Sequence, residues 1–233
     1  GACALELAER VRDRMVDAAA RLAGCPREDV VLGEGTLRAG GRTWTHGELV
    51  CEAAKVLREE LGDYLRFAPR GNPASFGVHF AQVRVDTLTG LVRVTDYLAA
   101  HDVGRALNPK LLRGQIYGGV QMGLGMGLCE ELRYDRKGVP RCASLSRYHT
   151  VNAPDMPEIR VLLVEEGEPG GPFGAKSIGE IATVPAAPAV VNAVNRALGT
   201  ELTHLPLTPE RILEGLRERD GEGREARKGR EGA

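Results

Sequence analysis

Six glycines fall within the fourteen residues from Gly114 to Gly127, in a segment whose flanking residues predict a helix. Glycine costs about 1 kcal/mol per residue relative to alanine inside a helix, so this density needs a compensating reason. Gly119, Gly123 and Gly127 lie four residues apart, which predicts one helix face without side chains. Another backbone or a flat ligand can approach such a face closely. Both interpretations, close helix packing and ligand binding, stay open at this point.

The same segment does not fit a membrane-dimerisation motif of the GxxxG kind. Its apolar run is much shorter than the roughly 20 residues of a membrane-spanning helix, and Glu130 and Glu131 end it. Two amide side chains, Gln115 and Gln121, are not explained by packing alone, because a buried amide needs hydrogen-bond partners. The segment therefore predicts a close-packed or ligand-facing helix outside the membrane.

A second glycine-rich segment runs from Gly170 to Glu180. It is not a P-loop, because Ala175 stands where that motif requires a glycine before Lys176. What remains is a loop that delivers the Glu180 carboxylate beside the apolar run 181–191. Desolvation raises the pKa of a carboxyl group, as a general base near neutrality requires. The alternative is a glutamate at a helix N-terminus, favoured by the helix dipole.

A third segment, HDVGRALNP, covers residues 101–109. Asp102 and Arg105 lie on a predicted turn, and an ion pair between them is the default expectation. The five histidines are scattered, so His101 and His149 are expected to be structural residues rather than ligands.

The periodicity of apolar residues predicts an α+β fold, because strands and helices alternate without a strict βαβ order. The residues after Leu216 are almost all charged, glycine or alanine, and residues 218–233 are predicted to be a disordered tail. The predicted helices cover 4–22, 45 or 46 to about 61, 108–131, 185–198 and 208 to about 216. The predicted strands lie within 29–45 and at 78–86, 91–99, 148–152 and 159–164, with 78–99 forming a hairpin.

Composition excludes several partners. The net charge of −1 gives no general attraction to nucleic acid or to an anionic membrane, and 4% aromatic residues offer little surface for base stacking. Five widely spaced cysteines without a CxxC pair argue against a zinc or iron–sulfur site held by this chain alone. They predict reduced thiols in a cytoplasmic protein.

Six motifs occur in a fixed order: DVGRALNP, GQIYGGVQMGLGMGLCEEL, DMPEIRV, GPFGAKSIGE, PAAPAVVNAV and LPLTPERIL. Together they resemble the C-terminal part of the molybdopterin-binding subunit of the xanthine dehydrogenase and aldehyde oxidoreductase family. The resemblance covers residues 1–217 and leaves out the charged tail, 218–233. It implies an α+β molybdenum-binding domain with mixed sheets and packed helices.

The resemblance also implies a reaction. Enzymes of this family hydroxylate an electron-poor carbon of a purine, another N-heterocycle or an aldehyde, with water as the oxygen source. Glu180 matches the family glutamate that deprotonates the hydroxide on molybdenum. Gly114, Gln115, Ser177 and Gly179 match cofactor-binding positions, and no protein side chain ligates the metal directly. The cofactor is molybdenum-molybdopterin, either in the plain form or as the cytosine dinucleotide.

Other parts of such an enzyme carry the electrons away from the small-molecule substrate. The resemblance implies [2Fe–2S] clusters and FAD on partner domains or subunits. In the family order, further cofactor- and substrate-binding segments precede Gly1, so we expect this chain to need an upstream part of the molybdenum subunit and to be inactive without it. GAKSIGEIATVP is most similar to bacterial xanthine or purine dehydrogenases. The alternative is a non-catalytic half-subunit that completes a partner, and the presence of both Gln115 and Glu180 argues against it.

Overall fold

The computed structural model describes residues 1–68, 71 and 73–231, with side chains of the last helix described as far as residue 221. The chain divides into two compact units. The first comprises Gly1–Asn72 with Gly170–Pro172, and the second comprises Pro73–Pro169 with Phe173–Ala233. Helices and mixed sheets occur together, which confirms the predicted α+β class. No helix in the described part of the chain is long and apolar enough to cross a membrane.

The first unit packs a helix and a short helical segment against a three-stranded antiparallel sheet, around Leu37, Trp44 and Leu49. Thr45 caps α2 reciprocally with Glu48, as a capping box does. The helix continues as a π-helical turn, Ala53–Leu57, and stops at Arg58 in the left-handed region, short of the predicted end near residue 61. The elements are α1 (Ala2–Ala23), β1 (Val31–Gly33), β2 (Thr36–Ala39), β3 (Arg42–Thr45) and α2 (His46–Glu52).

The second unit is built on a sheet of order β4-β5-β6: β4 (Gly77–Val85), β5 (Val92–Asp102) and β6 (Ile159–Val164). The first two strands form the predicted antiparallel hairpin, and β6 runs parallel to β5. A bulge interrupts the hairpin, because Gln82 pairs with Asp96 while Val83 pairs with Val94. The extra residue lets Val94 and Tyr97, three positions apart, both face the core.

The glycine face of α3 (Pro109–Leu128) packs against α4 (Ala186–Leu198) and the residues just before it. A Cβ added at Gly119 would lie 2.7 Å from Ala182 Cβ, and one added at Gly123 would overlap Ala186 Cβ. A Cβ at Gly127 would lie 2.9 Å from a methyl group of Val190. Close helix packing therefore explains these three glycines, and the ligand interpretation does not apply to them.

Two further predicted helix ends and one predicted strand are wrong. Helix α3 ends at Leu128 rather than near residue 131. Residues 148–152 are not a strand, because the Gln121 side chain, rather than a neighbouring strand, binds the Val151 carbonyl oxygen at 2.9 Å. Helix α5 (Pro209–Glu231) continues well past residue 216. The disorder predicted for residues 218–233 stays a prediction, and residues 232 and 233 lie outside the described residues.

Two histidines and a tyrosine form a buried hydrogen-bonded chain between β4 and β5. His79 Nδ1 is 2.8 Å from the Tyr97 hydroxyl, and His79 Nε2 is 2.8 Å from His101 Nε2. The His101 ring fits because Gly77 lies opposite it, where a Cβ would be 2.6 Å from the ring. Burial, and then the neighbouring His101, lowers the pKa of His79 to about 4.

This buried histidine makes stability depend on pH. The unfolded chain takes up the His79 proton near its ordinary pKa of about 6.5, well before the folded chain does. The contribution of His79 to the free energy of unfolding is therefore complete above about pH 6.5. As the pH drops toward 4, the free energy of unfolding falls by up to about 3 kcal/mol because of this residue. Denaturant unfolding at pH 7 and pH 4 measures this loss. His79→Gln should flatten the dependence, and the exposed His204→Gln should not. Equal slopes in all three proteins would contradict the assignment.

Candidate active site

The second glycine-rich segment meets the N-terminal part of α3 in the second unit. Asn108 begins that helix by accepting a hydrogen bond from the Leu111 amide at 3.1 Å, with Pro109 as its first helical residue. One turn further on, Gln115 Nε2 donates to the Gly179 carbonyl oxygen at 2.5 Å. The structure thus brings Gly114 and Gln115 together with Gly179, and Glu180 directly follows Gly179 in the sequence.

Glu180 lies on the surface of the chain. Its side chain is exposed, as are Gly114, Gln115, Ser177 and Gly179. The apolar surroundings that the sequence predicted for Glu180 are therefore absent among the described residues. The alternative of a helix N-terminal glutamate is also wrong, because α4 begins only at Ala186. Glu180 is an exposed loop carboxylate beside a polar amide.

The loop before Glu180 is attached to the end of β5. Lys176 Nζ lies 2.5 Å from Asp102 Oδ2, and the Lys176 amide donates to the Val103 carbonyl oxygen at 2.9 Å. The lysine hydrogen bond, with one from the Gly104 amide, lowers the pKa of Asp102. The predicted turn had suggested an ion pair between Asp102 and Arg105. Asp102 pairs with Lys176 instead. Sequence spacing could not reveal this partner, because it lies 74 residues away.

Two glycines of α3 differ from the three that pack against α4. Cβ atoms added at Gly114 and Gly118 would meet nothing within 4 Å. Both glycines are exposed, and Gly114 precedes Gln115. At these exposed positions of α3, glycine does not improve packing against a neighbouring element. The open backbone fits a flat ligand that lies close to the helix. The residues present are compatible with a pterin cofactor beside Gln115 and Gly179.

A cavity lies elsewhere in the second unit, away from Gln115 and Glu180. It has a volume of ≈ 750 Å³ and is lined by the C-terminal part of α3, with Leu128, Arg133, His149, Asn152 and Leu207 among its residues. None of the predicted site residues lines it. The candidate site is the exposed surface where Gln115 binds Gly179, the residue before Glu180, and where Gly114 leaves the helix backbone open.

Comparison with known proteins identifies the class of this fold and site. The model of the molybdopterin cofactor-binding domain family matches residues 1–157. The xanthine dehydrogenase molybdenum-binding subunit of Escherichia coli O157:H7 is 42% identical over 144 residues, which cover 61% of this chain and 19% of that protein. The nicotine 6-hydroxylase large subunit of Paenarthrobacter nicotinovorans is 32% identical over 226 residues, which cover 91% of this chain and 28% of that protein.

A solved structure is similar as well. Quinoline 2-oxidoreductase from Pseudomonas putida 86 has a TM-score of 0.64 and 31% identity, over 89% of this chain and 28% of that one. The chain therefore belongs to the molybdopterin cofactor-binding domain family, among molybdenum-binding subunits of the xanthine dehydrogenase and aldehyde oxidoreductase type. The resemblance inferred from the motifs is confirmed. The chain spans only about a fifth to a quarter of the length of these relatives.

Proposed function

We propose that this chain is part of a molybdenum hydroxylase and supplies Glu180 as the general base. The observation that carries the proposal is the placement of Glu180 directly after Gly179, whose carbonyl oxygen is bound by Gln115. The amide fixes the backbone from which the carboxylate projects. A base must be held within hydrogen-bond reach of the proton that it takes.

The proposed roles divide among the residues of the site. Gly114, Gln115, Ser177 and Gly179 would hold the molybdenum cofactor, which when bound supplies the two-electron oxidation. Glu180 would accept, at a carboxylate oxygen, the proton of the water-derived nucleophile. Within the part of the chain that the structure describes, no group of three or more histidine, cysteine, aspartate or glutamate side chains could hold a metal ion.

We also propose the substrate class and the partners. The relatives are named for their action on xanthine, nicotine and quinoline, which are all N-heterocycles. Ring carbons next to nitrogen are electron-poor, so we propose an N-heterocycle, a purine foremost, with an aldehyde as the second choice. We further propose a cytoplasmic enzyme, xanthine dehydrogenase-like, that is inactive without the remainder of the molybdenum subunit and without partners that carry [2Fe–2S] clusters and FAD.

A non-catalytic role is the second candidate, in which the chain completes a partner molybdenum subunit. The observation that favours it is the exposure of Glu180 on the surface of the chain.

Turnover of the complete enzyme in ¹⁸O-labelled water tests the proposed reaction. If the chain belongs to a hydroxylase, a purine or other N-heterocycle should gain one oxygen atom, and that atom should carry the label. A product labelled instead from ¹⁸O₂ would contradict the reaction. An enzyme with full molybdenum content that oxidises none of the three substrate classes would contradict the proposed substrate class.

A further inference from the structure

The ion pair between Asp102 and Lys176 is unusually shielded from water. The side chains are 18% and 11% exposed, which makes this the most buried ion pair among the described residues. Most of the other pairs join side chains that are more than 40% exposed, as Arg160 and Asp96 do. Ion pairs on the surface hold geometry weakly, because water and salt screen them. A shielded pair can fix the two backbones that carry it.

Both partners are also held by backbone hydrogen bonds. The Gly104 amide donates to Asp102 Oδ1 at 3.1 Å, and the Lys176 amide donates to the Val103 carbonyl oxygen at 2.9 Å. The two segments are in direct contact at Gly104, because a Cβ there would overlap the Gly174 carbonyl oxygen. The φ of 63° at this residue also favours glycine. The loop is therefore attached to the end of β5 at this point.

The loop has other attachments as well: the Glu168 amide donates to the Gly174 carbonyl oxygen at 2.9 Å, Ile178 packs against the core of the second unit, and two side chains donate single hydrogen bonds. Ser75 Oγ donates to the Ser177 carbonyl oxygen at 3.1 Å, and Gln115 donates to that of Gly179. Lys176 lies four residues before Glu180 and supplies the only ion pair within 173–180 that the described residues show.

We infer that Asp102 and Lys176 are positioning residues for Glu180, joined in a largely shielded ion pair that fixes the glycine-rich loop to the end of β5. The inference rests on the proposed function, because positioning matters to turnover only if Glu180 is the base. Neither residue acts on the substrate. Displacement of a reacting group by about 1 Å can cost about 100-fold in rate, so small movements of this loop should be measurable.

Hydrogen–deuterium exchange in the complete enzyme tests the docking without reference to activity. In Lys176→Met, amides of 174–180 should exchange at least about tenfold faster, while amides within β4 and β5 stay protected. The variant Asp102→Asn/Lys176→Met leaves no lone buried charge and should fold even if the single variant does not. Arg160→Met, which breaks an exposed pair in the same unit, should leave 174–180 unchanged. Unchanged exchange of 174–180 in both Lys176→Met and Asp102→Asn/Lys176→Met would overturn the inference.

Kinetics then separate positioning from a general loss of structure. Lys176→Met should lower kcat about 10- to 100-fold with a similar KM and full molybdenum content. In a Glu180→Gln background the same change should have no further effect, since the group that it positions is gone. An equal additional loss in that background would overturn the inference. If Glu180→Gln alone turns over like the wild type, the proposed base fails, and the exchange data still decide whether the ion pair fixes the loop.

Discussion

Glu180→Gln is expected to lower turnover of the complete enzyme by about 10²- to 10⁴-fold, the usual contribution of a general base. Glutamine keeps the size and hydrogen-bonding capacity of glutamate but cannot accept the proton of the nucleophile. Because the side chain is exposed and its role requires no packing, fold and cofactor content should change little. The measurement is steady-state kcat, normalised to molybdenum content.

Glu158→Gln provides the matched control. It makes the same substitution at another exposed glutamate of the second unit, just before β6, and should leave kcat unchanged. A comparable loss of kcat in both variants would mean that the removal of a negative charge, rather than the loss of a general base, lowers turnover. A Glu180→Gln enzyme within a few-fold of wild type would favour the non-catalytic role.

Gly123→Ala is expected to destabilise the second unit by about 1–3 kcal/mol, the usual cost of overpacking a core. The added methyl group would overlap Ala186 Cβ and lie 2.9 Å from the Thr183 carbonyl oxygen. Neither neighbour can move away cheaply, because one belongs to a buried residue of α4 and the other is backbone. Thermal unfolding of the second unit measures the change.

Gly118→Ala on the same helix should have the opposite effect. Its added methyl group would meet nothing within 4 Å, so only the helix preference of alanine remains, worth up to about 1 kcal/mol. Stabilisation by both substitutions would contradict the packing of α3 against α4. Stabilisation at residue 118 with a loss of molybdenum would instead agree with a cofactor near the open glycines.

Much of the fold follows from local sequence signals. Asn108-Pro109 marks the start of α3, Gly24 and Gly199 end helices in the left-handed region, and the turn before Gly90 joins the hairpin. These signals depend on neighbours in sequence. The end of α5 was missed because the prediction ended the helix where its apolar residues stop, near Leu216. The segment 148–152 was missed because its partner is a side chain on α3.

Which face of a strand is buried depends on contacts distant in sequence. His79 is buried while Phe80, the more apolar neighbour, is 60% exposed, because His79 finds partners in Tyr97 and His101. The candidate site shows the same limit. The motifs single out Gln115 and Glu180, and Gln115 binds the residue before Glu180; the roles of both residues stay predictions. The anchor of the loop, Asp102 with Lys176, joins two distant segments that no local pattern connects.

The reductive half-reaction of Glu180→Gln tests the central claim most directly, because it isolates the chemical step from later electron transfer. Wild-type and variant enzymes with equal molybdenum content are mixed with excess substrate without oxygen, and the rate of enzyme reduction is followed by absorbance. We predict that reduction at saturating substrate slows by the same factor as kcat, about 10²- to 10⁴-fold, while half-saturation stays within a few-fold. Reduction of the variant at the wild-type rate would show that Glu180 is not the base.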